Sequence, residues 1–143
     1  MKVLPANATD DDILEVCRGW VDLVAARRFA EAIDLLYVPT GYDQSQHWTP
    51  ASLETYIGNY GSWEPLADGR VVKVTPPKTA GIPVDRRLFR PRADVVRLIG
   101  DRTAGSVELD VPLDGKWSDL TAQFEFAPLN GGIGISLYDL HVL

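Results

Sequence analysis

An α+β domain, with N-terminal helices packed on a mainly antiparallel sheet, is the fold class this chain predicts. Three observations carry it. Residues Ser118–Phe126 alternate apolar and polar side chains almost without error, the mark of a strand in a sheet with one buried face. Similar runs lie on either side of it, set off by the turn signals Asp114-Gly115 and Asn130-Gly131-Gly132. Upstream of Gly61 the apolar residues recur instead at helical spacing. Helices first and a run of strands afterwards is the α+β order.

The first helix opens at Thr9-Asp10-Asp11-Asp12, where Thr or Asp can cap free N–H groups and carboxylates suit the helix dipole. With Asp12 as the cap, Glu15 would complete a capping box. Ile13, Val16, Cys17, Trp20, Val21 and Val24 form one apolar stripe, so this helix lies on something. Arg27-Arg28 interrupts the stripe, and a short second helix carries Phe29, Ala32, Ile33 and Leu36 up to Pro39 and Gly41. A loop with Tyr42, Asp43, His47 and Trp48 leads to Thr49-Pro50. Thr49 as cap, Pro50 as first helical residue and Glu54 nearby start a third helix with Leu53, Tyr56, Ile57 and Tyr60.

Val71–Val74 reads as a short strand. The prolines between Pro76 and Pro91 forbid a central strand or helix interior and predict a long loop, with a short edge strand near Leu88 and Phe89. Asp94–Ile99 is a strand that ends in a Gly100-Asp101 turn. Val107, Leu109, Val111 and Leu113 alternate along the next. In the following strand Leu120, Ala122, Phe124 and Phe126 share one face, and Asp119, Thr121, Gln123 and Glu125 the other. The last strand places Ile133, Ile135 and Leu137 on one parity, then Tyr138, Leu140 and Val142 on the opposite one. Either a bulge shifts the register there, or both faces are covered.

A length of 143 residues suits one domain. Cys17 is the only cysteine, which leaves no intrachain disulfide and no cysteine-based metal cage. The net charge of −6 argues against nucleic acid, because phosphate contacts need a basic face. The start of the chain has no apolar run of signal-peptide length, and no stretch reaches the ~20 apolar residues of a membrane span. A soluble, cytoplasmic protein with no membrane partner is expected.

The order helix, short helix, loop, third helix and meander resembles the NTF2-like (cystatin-like cone) superfamily. Leu23–Leu36 is similar to the helix–turn–helix opening of that group, with Arg27-Arg28 where its Gly-Asp usually stands. The resemblance implies a curved sheet with a pocket between helices and sheet. Asp114–Thr121, together with Asp139-Leu140-His141-Val142, resembles a family of small uncharacterised bacterial proteins and implies no activity.

Asp139 and His141 are two apart on a strand and share a face. A carboxylate beside an imidazole is a general acid/base arrangement, and an edge pair bonded to the neighbouring strand is the structural alternative. His47 is a second candidate, though equally a loop packing residue. Two histidines this far apart make no metal motif, and neither a phosphate loop nor a nucleophile elbow is present, so no cofactor and no metal are expected. Trp20, Tyr56, Tyr60, Trp117, Phe124 and Phe126 fall on apolar faces. They are core residues or the walls of a ligand pocket. Arg86, Arg87, Arg90 and Arg92 cluster in the proline-rich loop as an anion or partner site, or simply as solvated charge.

Three readings follow. The first is a non-enzymatic protein-binding domain, such as an immunity protein that neutralises a bacterial toxin. Glu108, Asp110, Asp119 and Glu125 would then meet a basic partner. The second is an NTF2-like isomerase, dehydratase or cyclase, or a binding protein for a small apolar ligand. The third is an orphan module whose uncovered sheet face forms a homodimer. The first is preferred, because Leu120, Ala122, Phe124 and Phe126 put no ionisable group inside.

Overall fold

The computed structural model describes residues 1–39, 48–83 and 90–142. The elements run in the order β1 (Val3–Pro5), α1 (Asp10–Ala25), α2 (Phe29–Leu35), α3 (Pro50–Gly58), β2 (Ala93–Leu98), β3 (Asp101–Leu113), β4 (Lys116–Leu129) and β5 (Gly132–Val142). The sheet has the order β1-β5-β4-β3-β2, and all its neighbours are antiparallel. This is the α+β class that the helical and alternating patterns predict.

Thr9, not Asp12, caps α1. Its Oγ1 accepts from Asp12 N at 3.1 Å, and Asp12 Oδ2 accepts from Thr9 N at 2.9 Å. Asp12 therefore fills the return position of the capping box, and Glu15 lies outside it. Hydrogen bonds from the Thr9 backbone N–H first, and then from its side chain, hold the Asp12 carboxyl below its usual range. At α3, Thr49 caps as expected, but the reciprocal partner is Ser52 rather than Glu54. In both hairpin turns the two central residues have positive φ: 51° and 87° at Asp114-Gly115, 51° and 79° at Asn130-Gly131. Those are the conformations a two-residue hairpin needs, and Asp-Gly and Asn-Gly adopt them readily.

The core lies between the helices and one face of the sheet. The apolar stripe of α1 is buried along its whole length, and Trp20 meets Phe124 edge-to-face with ring centroids 5.3 Å apart. Such a pair adds about 0.5–1.5 kcal/mol beyond the area it buries. Arg97 ties β2 to the start of α1. Its guanidinium bonds Asp10 at 2.8 Å and the Ala8 carbonyl at 3.0 Å, and lies over the Phe126 ring. Gly105 admits that ring, since a Cβ there would sit 2.6 Å from Phe126 Cζ and 2.1 Å from Val96 O.

Three features of the sequence reading change. Val71–Val74 makes a single bridge, Val74 to Leu113, rather than a strand. Its backbone bonds curl around the neighbouring turn: Lys73 N donates to Asp114 Oδ1 at 3.0 Å and Thr75 N to Pro112 O at 3.1 Å. β1 was not expected, because three residues are too few to show a period. The proline-rich loop clips onto the start of β4 through Gly81, whose N–H donates to Gly115 O at 2.8 Å. The expected edge strand at Leu88 and Phe89 lies outside the described residues.

The parity switch in β5 is a bulge. Gln123 pairs with Asp139 and Phe124 with Leu137, so Tyr138 has no partner on β4. The extra residue lets Leu137 and Leu140 both face the core, where both are buried.

Candidate functional site

The sheet face opposite the core is polar. Register places Ser106, Glu108 and Asp110 of β3 beside Glu125, Gln123 and Thr121 of β4. These in turn lie beside Ser136, Asp139 and His141 of β5. On β2, Asp94 and Val96 pair with Glu108 and Ser106 and so continue this face at its edge, where Val96 is well exposed.

The carboxylates on this face differ in what they can do. Asp110 is 8% exposed. One of its oxygens accepts from Thr121 Oγ1 at 2.8 Å and the other from Arg92 N at 2.7 Å. It ties β3 to β4 and to the incoming loop, and so withholds its charge from any partner. Glu108 is half-exposed and lies 3.4 Å from Arg92 Nη1. Glu125 is half-buried between Ser106 and Ser136. Asp119, near the start of β4, accepts a hydrogen bond from the Tyr60 hydroxyl.

Asp139 and His141 lie together, as their spacing predicts, with Asp139 Oδ2 3.3 Å from His141 Nδ1. The contact lacks hydrogen-bond alignment, since Nδ1 has no partner by geometry among the described residues despite its burial; it is a close contact rather than a formed bond. Asp139 Oδ1 accepts from Leu140 N at 2.8 Å. The bulge puts both side chains on the polar face, with Leu140 pointing the other way.

Tyr56 of α3 reaches the same carboxylate. Its hydroxyl bonds Asp139, and burial, followed by the Asp139 charge and that bond, raises its pKa. Around it stands an aromatic cluster: Trp48–Tyr56 centroids are 5.2 Å apart, Tyr56–Trp63 4.6 Å and Trp48–Trp63 5.9 Å. Trp63 is 61% exposed. The chain can bring it there because Gly61 passes tightly over the ends of β4 and β5. With φ of +77°, a Cβ at Gly61 would meet Leu120 Cδ1 at 2.7 Å.

The remaining sequence candidates scatter. Phe124 and Phe126 are buried core residues. Trp117 is half-buried at the β3–β4 hairpin. Trp20 is fully buried and forms part of the wall of a cavity between the three helices and β5. Arg90 is exposed. His47, Arg86 and Arg87 lie outside the described residues. Trp63 and Tyr37 were missed. Tyr37 packs on the edge of β5, where its N–H donates to Ile135 O at 3.0 Å and its hydroxyl bonds Ser136. The available signal was an aromatic residue just beyond the end of each of two helices.

Cys17 is fully buried, and burial pushes its thiol up to about 12. Among the described residues no helix is long and apolar enough to cross a membrane. Comparison of the chain with protein-family models, curated proteins and solved structures finds no match in any of the three. The functional reading therefore stands on the geometry alone.

Proposed function

We propose that this protein is a non-enzymatic binding domain whose polar sheet face and aromatic corner receive a basic protein partner, in the manner of an immunity protein that neutralises a bacterial toxin. The observation that carries this reading is the segregation of side chains by the sheet. Glu108, Glu125 and Asp139 share the face away from the core, while Leu120, Ala122, Phe124 and Phe126 are buried on the other. A general acid or base needs a reacting atom held beside it in a sheltered site. Asp139 and His141 lie instead on a half-exposed face, which favours recognition over proton transfer.

The chemistry of the patch suits a cationic partner. Carboxylates at the rim speed encounter and select against acidic competitors. Exposed Trp63, packed on Trp48 and Tyr56, offers the kind of aromatic anchor in which interface energy concentrates. Val96 adds apolar surface on the β2 side. An NTF2-like cone remains part of the proposal, supported by helices gathered on one sheet face ahead of a four-strand meander. So does kinship of the last third with a family of small bacterial proteins.

The test is calorimetry with the product of a neighbouring gene that encodes a basic secreted domain. Binding should weaken about tenfold or more in Glu108→Lys/Glu125→Lys and again in Trp63→Ala, and should fall with added salt. Binding indifferent to all three changes would overturn the reading, as would failure of every such product to bind.

A further inference from the structure

The two edges of the sheet are finished differently. β1 is three residues long and ends in Pro5, and on its flank Lys2 N donates to Leu35 O at 2.9 Å. A short strand, a proline and a covering segment are common guards against a stray strand. β2, at the other edge, has six residues, with no proline, lysine or glycine among them. Its cation Arg97 is turned away, onto Asp10 and the Ala8 carbonyl. Val96, Leu98 and Ile99 are exposed apolar side chains on it or just beyond it.

Register decides which backbone groups of β2 are free. Asp110 N donates to Arg92 O at 2.9 Å. The same register sets Asp94 opposite Glu108 and Val96 opposite Ser106. Hydrogen-bonded pairs alternate along an antiparallel ladder. Asp94 and Val96 therefore bond to β3, while Ala93, Val95 and Arg97 turn their N–H and C=O groups outward. Among the described residues, nothing pairs with these outward groups.

We infer that β2 is a self-pairing edge, to which a second copy of this chain adds antiparallel about a two-fold axis at Val95, perpendicular to the sheet. The occupant follows from symmetry. The outward residues are spaced evenly about Val95, so the axis sets Val95 opposite its own copy and Ala93 opposite Arg97. Every outward N–H then meets a carbonyl. The axis also keeps core face beside core face, where the half-buried Val95 side chains meet. Neighbouring registers do worse. Val95 opposite Ala93 brings Arg97 to Pro91, which has no N–H to give. Val95 opposite Arg97 runs Ala93 off the strand, against Ile99. The contact is small, so the dimer is weak and depends on concentration. It is made by backbone at the sheet edge, not by the sheet face; Asp94 and Val96, which continue the polar face, only flank it.

The test uses the full chain alone, so it stands apart from any partner of the polar face. Sedimentation between about 10 μM and 1 mM should show a monomer–dimer equilibrium. Each copy carries a net charge of −6, so added salt should tighten the dimer, the reverse of its expected effect on a basic partner. Val95→Pro removes an outward donor and leaves the bonds from β2 to β3 in place. It should weaken association about tenfold or more. Where Val95→Pro does not fold, Ala93→Pro, at the first residue of the strand, removes another outward donor and should act in the same direction. In a mixture of labelled and unlabelled chains, an NOE from Asp94 Hα to Val96 Hα of the other copy should mark the register. A chain that stays monomeric would overturn the proposal, as would a dimer without that NOE or one indifferent to the proline variants. So would Val95 and Arg97 amides protected from exchange in the dilute monomer, since another part of the same chain would then hold the edge.

Discussion

Asp110 looks like one more surface acid in an acidic chain, and its surroundings give it a different task. Thr121, at 0% exposure, has its hydroxyl satisfied by that carboxylate, and the Arg92 N–H depends on its other oxygen. Asp110→Ala should therefore destabilise the protein by about 1–3 kcal/mol, the cost of leaving buried donors unpaired, read as a lower urea midpoint. Glu108→Ala, at a half-exposed site beside Arg92, should change stability by less than about 0.5 kcal/mol. The contrast matters because the two residues are indistinguishable by type and spacing. What separates them is the loop backbone that arrives from residues far off in the chain.

At the scale of elements, the sharpest prediction concerns β5. Deleting Tyr138 would join the two halves of the strand in one alternation, with Leu137 and Leu140 still facing the core and Asp139 and His141 still facing outward. The deletion should therefore keep the cooperative urea transition and change stability by less than about 2 kcal/mol. Tyr138→Ser keeps the extra residue and should cost less than about 1 kcal/mol, since this side chain is half-exposed. Features of this local kind are the ones the amino-acid order exposes. The Thr49 cap, the Asp-Gly and Asn-Gly turns and the shift after Leu137 could all be read from adjacent residues. β1 could not, because Leu4 pairs with Ile133 at the far end of the chain. Nor could the Arg97–Asp10 bond or the Trp48–Tyr56–Trp63 cluster, which rest on how separate elements meet. The site divides likewise: the company of Asp139 and His141 was legible, while the hydroxyl of Tyr56 against Asp139 was not.

The whole molecule governs the fate of Cys17. It lies on the stripe of α1 that packs on the sheet, with the thiol raised to about 12, so no local fraying uncovers it. Reaction with a thiol reagent at neutral pH should follow global unfolding and accelerate with urea in proportion to the unfolded fraction. The sign of its pH effect follows from the same burial. A free thiol ionises near ~8.5, and the folded state holds its proton up to about 12. The stabilising contribution of the neutral thiol is therefore complete below the unfolded value and is lost as pH climbs toward the folded one. Cys17→Ala should lose stability at neutral pH through the cavity it leaves, and should unfold less steeply in alkali than the parent.

The unpaired Tyr138 also marks this chain against any kin. A relative lacking the bulge would be one residue shorter at this point, and its final strand would keep a single rhythm from end to end. Its counterparts of Asp139 and His141 would still face outward, because those of Leu137 and Leu140 would stand two apart on the buried face. A chain that keeps a residue at Tyr138 has to bulge there, or turn its counterparts of Asp139 and His141 against the core.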